Sequence, residues 1–186
     1  MPSGKIHDQI TWYCLPVVIA SFLIITKSLL LTALGSFGFI FSGLMFGPDL
    51  DIYSVQFKRW HFFRFIWLPY QKFLKHRSLL SHGFLIGTIV RVLYLSLILL
   101  ILSIILVAIA QLIFGFPWHW QKFMVNSYSA LRNDYWQEVL CLFIGLELGA
   151  MSHYFADDIG SWWKSRQKGK KPKGKPKRQR IKKKKN

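Results

Sequence analysis

From Val92 to Phe116 the chain runs 25 residues without a charged side chain. A helix needs roughly 20 apolar residues to cross the hydrocarbon core of a bilayer, and this run exceeds that length. A water-soluble helix would carry polar residues along its outer face, and this stretch carries none that are charged. With 52% hydrophobic and 17% aromatic residues in 186, the rest of the chain is of the same kind. The expectation is an all-α, polytopic membrane bundle, and a soluble globular domain is excluded.

Three further segments share this character. Trp12 to Gly47 is apolar except at Thr26-Lys27-Ser28, and its 36 residues admit two short, closely connected spans or a single tilted one. Pro16 would then kink the first span near its start. Gly35, Gly38, Ser42 and Gly43 favour close helix packing on the second. A third span is expected from about Gly83 to Phe116 and a fourth from about Val139 to Ile159, closed by Trp162-Trp163. Tyr53 to Leu80 mixes rings with Lys58, Arg59, Arg64, Lys72, Lys75 and Arg77, which suits an amphipathic segment in the headgroup zone. Pro117 to Gln137 reads as a loop. The first apolar run has no small-residue cleavage site after it and is expected to be retained.

The net charge of +17 is concentrated at one end. Lys164 to Asn186 hold 14 of the 25 Lys and Arg and no acid, so residues 1–163 form the embedded domain and 164–186 a disordered basic tail. Such a tail suits anionic lipid or nonspecific nucleic-acid binding, but without aromatics it offers no base-reading chemistry. The Asp51–His82 loop carries six basic residues and the Pro117–Gln137 loop two. That bias is expected to place the basic loop and both termini on the cytoplasmic side of the membrane. Cys14 and Cys141 lie in apolar segments without metal-type spacing and read as small hydrophobes.

Against this background, metal-ligand residues gather in four islands. They are His7-Asp8, Asp49-Leu50-Asp51, His76 to His82, and His153 to Asp157. With two spans in 12–47, every island falls on one face of the membrane, which makes a composite cytoplasmic centre feasible. With one span, His7 lies on the opposite face. His153 and Asp157 are four apart and share a helix face. The paired carboxylates Asp49 and Asp51 flank a turn, where they could bridge metals or orient a histidine. Imidazole and carboxylate without thiolate suit zinc foremost, with manganese or iron as alternatives. Lys75 and Arg77, beside His76, are candidates for holding an anionic phosphoester. Ser78 and Ser81 have no evident base partner and read as caps or supports. His61 and His119 read as interfacial residues. Arg91 and Glu147, at similar depth in the third and fourth spans, are expected to pair with each other; the alternative is that Arg91 snorkels to the headgroups.

The segments Gly-Lys-Ile-His7-Asp8, Ser-Gly-Leu-Met-Phe-Gly-Pro-Asp49-Leu-Asp51, His76-Arg77-Ser-Leu-Leu-Ser-His82-Gly and Leu-Glu-Leu-Gly-Ala-Met-Ser-His153 resemble a bacterial family of uncharacterised, predicted metal-binding membrane proteins. Their order also looks like the wider membrane-bound metal-dependent hydrolases. More remotely it is similar to zinc-dependent phospholipase C and related nucleases. The resemblance implies His7, Asp49, Asp51, His76, His82, His153 and Asp157 as metal ligands and phosphoester hydrolysis as the activity. The loop Arg77-Ser-Leu-Leu-Ser-His82 departs from the Arg-Gly-x-Thr-His of the wider group. The alternative is a non-catalytic metal-binding membrane scaffold with a lipid- or nucleic-acid-binding tail.

Overall fold

The computed structural model describes the backbone of residues 4–76 and 78–170, and the side chains of residues 6–76 and 78–156. All regular structure among these residues is helical: α1 (Gly4–Thr26), α2 (Leu29–Leu44), α3 (Val55–Arg59), α4 (Trp67–Phe73), α5 (Leu79–His82), α6 (Ile86–Phe114), α7 (Trp120–Asn133) and α8 (Trp136–Lys170). By length and composition, three segments could cross a membrane: Ile6–Thr26, Ile86–Phe114 and Trp136–Ala156. At 16 residues α2 is apolar but shorter.

Residues 12–47 form two helices, not one. Lys27, with φ of 51°, turns the chain between them, and the Ser28 hydroxyl caps α2 by accepting from Leu31 N–H. The two helices run antiparallel. Thr26 faces Thr32 beside the turn, Phe22 lies against Gly35, and Thr11 lies against Gly43 near the open end. Because α1 begins at Gly4 and not near Trp12, Pro16 falls in mid-helix.

The small residues of α2 do pack closely, and their partner is α8. A side chain at Gly38 would strike the Leu142 carbonyl, one at Gly145 the Gly35 carbonyl, and one at Gly149 the Phe39 carbonyl. Rising numbers on α2 meet rising numbers on α8, so these helices are parallel. In lipid, where apolar surface gains nothing by leaving the solvent, such backbone approach is what holds helices together. By contrast α6 touches the small core only near its start, through Val90, Val92, Tyr94 and Leu95, and most of its apolar side chains from Leu97 onward are exposed.

Between the long helices, residues 46–74 fold into a small core. Phe46, Leu50, Phe57, Trp67, Tyr70 and Leu146 are buried against one another. The aromatic segment therefore divides: Phe57, Trp67 and Tyr70 turn inward, while Phe62, Phe63, Phe65 and Phe73 stay exposed. Residues 117–137, expected as a loop, contain α7. Trp120, Phe123, Met124, Tyr128 and Leu131 recur at helical spacing there, but Lys122, Asn126 and Arg132 masked that period. Helix α8 continues to Lys170, seven residues into the stretch read as tail, because Gly and Pro become frequent only from Gly169 onward. Residues 171–186 lie outside the described residues.

Candidate metal centre

The centre starts from the turn after α2. Pro48 to Asp51 form a single 3-10 turn with Pro48 in its first position. Leu50, fully buried, anchors the turn in the small core and leaves Asp49 and Asp51 on either side of it. Gln71 fixes the backbone by donating to the carbonyls of Leu50 and Ile52, both at 2.9 Å. Gly47 has no room for a side chain, because the Gln56 amide occupies the place of a Cβ. The Gly-Pro-Asp sequence thus serves a close approach as well as a helix end.

The second part comes from the α4–α6 connection. His76 follows α4, and His82 ends the short α5. His76 Nδ1 lies 2.9 Å from Asp51 Oδ1, and His82 Nδ1 lies 3.5 Å from Asp51 Oδ2. The His82 Nε2 atom is 3.8 Å from Asp49 Oδ1. One ligand atom each from Asp51, His76 and His82 falls within 4.8 Å of the others. The Asp51 side chain is wholly buried, with Asp49 at 19%, His82 at 15% and His76 at 31% exposure. Ser81, which had no evident partner in the sequence, donates to Asp51 Oδ2 and lies 2.6 Å from His82 Nδ1. It supports the cluster, and being fully buried it is closed to any substrate.

Two charges hold this connection, but not by pairing with each other. Arg91, fully buried and therefore not snorkelling, donates through Nη1 to the Ser81 carbonyl and through Nη2 to Thr88 Oγ1. Glu147 of α8 accepts from Leu85 N–H at 3.0 Å. Leu85 has φ of 59°, so the chain enters α6 through a strained turn whose leading N–H needs an acceptor. The expected ion pair is replaced because backbone groups of the 81–85 turn compete for both side chains. The two helices are still joined, through that turn.

The same residues suit a metal. His82 Nε2 is buried and has no hydrogen-bond partner. Burial lowers the His82 pKa below its usual value, with Asp51 and Asp49 pulling it back up. A neutral imidazole with a lone pair facing a carboxylate is the form that ligates. Two imidazoles and one or two carboxylates suit zinc, manganese or iron.

His7 and His153 meet outside this group. Their rings stack at 4.5 Å with 7° between planes. His153 Nε2 lies 2.6 Å from the Gly43 carbonyl and 2.8 Å from Gln56 Nε2. All four islands therefore reach one end of the bundle, and the ring of Tyr154, the residue after His153, lies 5.9 Å from that of His82. Asp157 belongs to α8, but its side chain and the whole of Arg77 lie outside the described residues. Lys75 is exposed. His61 and His119 are exposed and belong to neither group.

Sequence reading missed Gln56, Gln71 and the fork between Arg59 and Asp8. Arg59 Nη1 donates to Asp8 Oδ1 at 2.9 Å and to the Leu44 carbonyl at 2.8 Å, tying α3 to the ends of α1 and α2. Fifty-one positions separate the pair, so no local pattern could announce it.

A protein from Aquifex aeolicus (strain VF5), described as an uncharacterized protein, is 36% identical over 59 residues. That alignment covers 31% of this chain and 41% of the relative, so the chain spans less than half of the relative's length. No solved structure matches. The family model described as "Uncharacterized metal-binding protein (DUF2227)" matches residues 2–167, from before the first histidine island to beyond the last, and the chain belongs to that family.

Proposed function

We propose that the chain is a multi-pass protein of a bacterial inner membrane that holds a divalent metal at its cytoplasmic end and hydrolyses phosphoesters or lipids there. The observation that carries the reading is the convergence of Asp51, His76 and His82 within 4.8 Å around a buried, unpartnered His82 nitrogen. Family membership supports metal binding. The outward apolar faces of α6 and of the α1–α2 hairpin support a lipid surround. The six-to-two Lys/Arg bias between loops supports the orientation.

In this reading Asp51, His76 and His82 hold the metal, with Asp49 at its side. His7 and His153 form a second candidate ligand group, to which the resemblance would add Asp157. A bound divalent metal supplies Lewis acidity and lowers the pKa of water. Asp49, less buried than Asp51, would accept a proton there. Lys75, exposed and next to His76 in the chain, would hold a substrate anion, with Arg77 as its expected companion. Zinc is the first candidate, manganese and iron the others. The likeness to membrane-bound hydrolases motivates the reaction class.

One feature favours a second reading, a purely structural metal. Asp51 is completely buried and both its oxygens already face partners. A metal there would fasten the 76–82 connection to the Pro48–Asp51 turn without any reaction. In that case the basic tail, on anionic lipid or nucleic acid, would be the working surface.

Metal analysis of detergent-purified wild type, His82→Ala and Asp51→Asn tests both. Stoichiometric metal in wild type and its loss in both variants is expected. Equal metal content in all three would overturn the site. Hydrolysis of a generic phosphodiester that disappears in folded His82→Ala separates the enzyme from the scaffold, and metal loading without hydrolysis decides for the scaffold.

A further inference from the structure

A second feature opens at the same end of the bundle, on the segment that begins two residues after Asp51. Tyr53, Lys58, His61, Phe62, Arg64 and Phe65 line an open cleft of about 640 Å³. Its lining contains no acidic residue. Among the described residues neither Lys58 nor Arg64 forms an ion pair, and Lys58 Nζ lies 4.8 Å above the Tyr53 ring. His61 adds a donor from a strained backbone position, φ 45°.

The cleft stands on a fixed base. Arg59, between Lys58 and Trp60, is locked to Asp8 and the Leu44 carbonyl. Trp60 Nε1 donates to the Met45 carbonyl at 2.9 Å. Strain and a rigid mount for unpaired cations are unneeded if the segment serves only as a connection. The rim is apolar: Phe62 is 79% exposed, Phe63 58% and Phe65 53%. Cations without counter-ions beside bare rings match a ligand with a phosphate at one end and acyl chains at the other.

We propose that this cleft is a binding site for the phosphate headgroup of an anionic glycerophospholipid, held by Lys58, His61 and Arg64, with Phe62, Phe63 and Phe65 inserted among the lipid chains. It rests on the membrane reading of the chain and is independent of the metal and of hydrolysis. It would dock the metal-bearing end against anionic lipid at the bilayer surface.

The test titrates full-length protein in neutral detergent with dioleoyl phosphatidylglycerol, counting bound lipid by native mass spectrometry. Dioleoyl phosphatidylcholine, inorganic phosphate and glycerol 3-phosphate are the comparison probes. The variant Lys58→Gln/Arg64→Gln is set beside Lys72→Gln/Lys122→Gln, which removes two exposed cations elsewhere. At about fivefold per cation, the tightest phosphatidylglycerol binding should weaken roughly 25-fold in the cleft pair and stay unchanged in the control pair. Equal weakening in both pairs would mean diffuse charge attraction and would overturn the site, as would no weakening in the cleft pair. Displacement of the lipid by millimolar phosphate or glycerol 3-phosphate would make the occupant a free phosphate and overturn the lipid assignment. Recovery of the protein in soluble form without detergent would remove the membrane reading itself, whereas a metal-free, inactive preparation that still binds the lipid would leave the cleft standing.

Discussion

Replacing Gly145 with alanine sets two effects of opposite sign against each other. In a helix interior alanine is preferred over glycine by about 1 kcal/mol, so propensity alone predicts a more stable protein. The structure predicts the reverse. A Cβ at position 145 would lie 2.0 Å from the Gly35 carbonyl oxygen and 2.9 Å from its carbon, where ordinary contact begins at 3.4 Å. Both atoms are backbone and cannot rotate aside, so α2 and α8 must part by roughly 1 Å or more. That would loosen the neighbouring contacts of Gly38 with Leu142 and of Gly149 with Phe39, and draw Gly43 away from His153. Overpacking of this kind costs about 1–3 kcal/mol, which outweighs the propensity gain over most of that range. At roughly 2–4 °C per kcal/mol the midpoint should fall by a few degrees. Cys141 is buried on the same helix and Cys14 is exposed. In a Cys14→Ser background, maleimide labelling of Cys141 on heating therefore reports the separation directly. A midpoint raised by Gly145→Ala would refute the parallel, glycine-mediated packing of α2 on α8.

Three further outcomes follow from named contacts. Glu147→Gln should be tolerated, because an amide oxygen still accepts from Leu85 N–H, while Glu147→Ala should cost about 1–3 kcal/mol in thermal melts; equal damage from both would restore an ion-pair role. Arg59→Ala and Asp8→Ala should show a coupling of about 1 kcal/mol in a double-mutant cycle, since the fork is only partly buried, and strict additivity would count against it. Burial pushes the Tyr70 phenol up to about 12, partly offset by Arg91, so the folded state holds the neutral form above the unfolded value of 10.0. Stability from this group is full below pH 10 and is lost as pH rises toward 12; Tyr70→Phe should flatten that part of the stability–pH curve relative to wild type.

Residue type alone determined the helical class, the apolar segments and the four islands of histidine and carboxylate. Those are properties of composition and period: a run such as Val92–Phe116 has few ways to satisfy its backbone outside water except as a helix. The small residues Gly35, Gly38 and Ser42 even announced a close contact, though not that α8 would supply it. Partner choice was decided by tertiary structure. Arg91 and Glu147 looked like a pair by depth, yet the strained turn at Leu85 offered each a backbone partner first. The histidines and carboxylates were grouped by resemblance as one ligand set, whereas folding stacks His7 on His153 and gathers Asp51 with His76 and His82 around Ser81. Helical spacing states which residues share a face of one helix. It carries no information about the distance between loops that only long-range packing, here Leu50 driven into the small core, brings together.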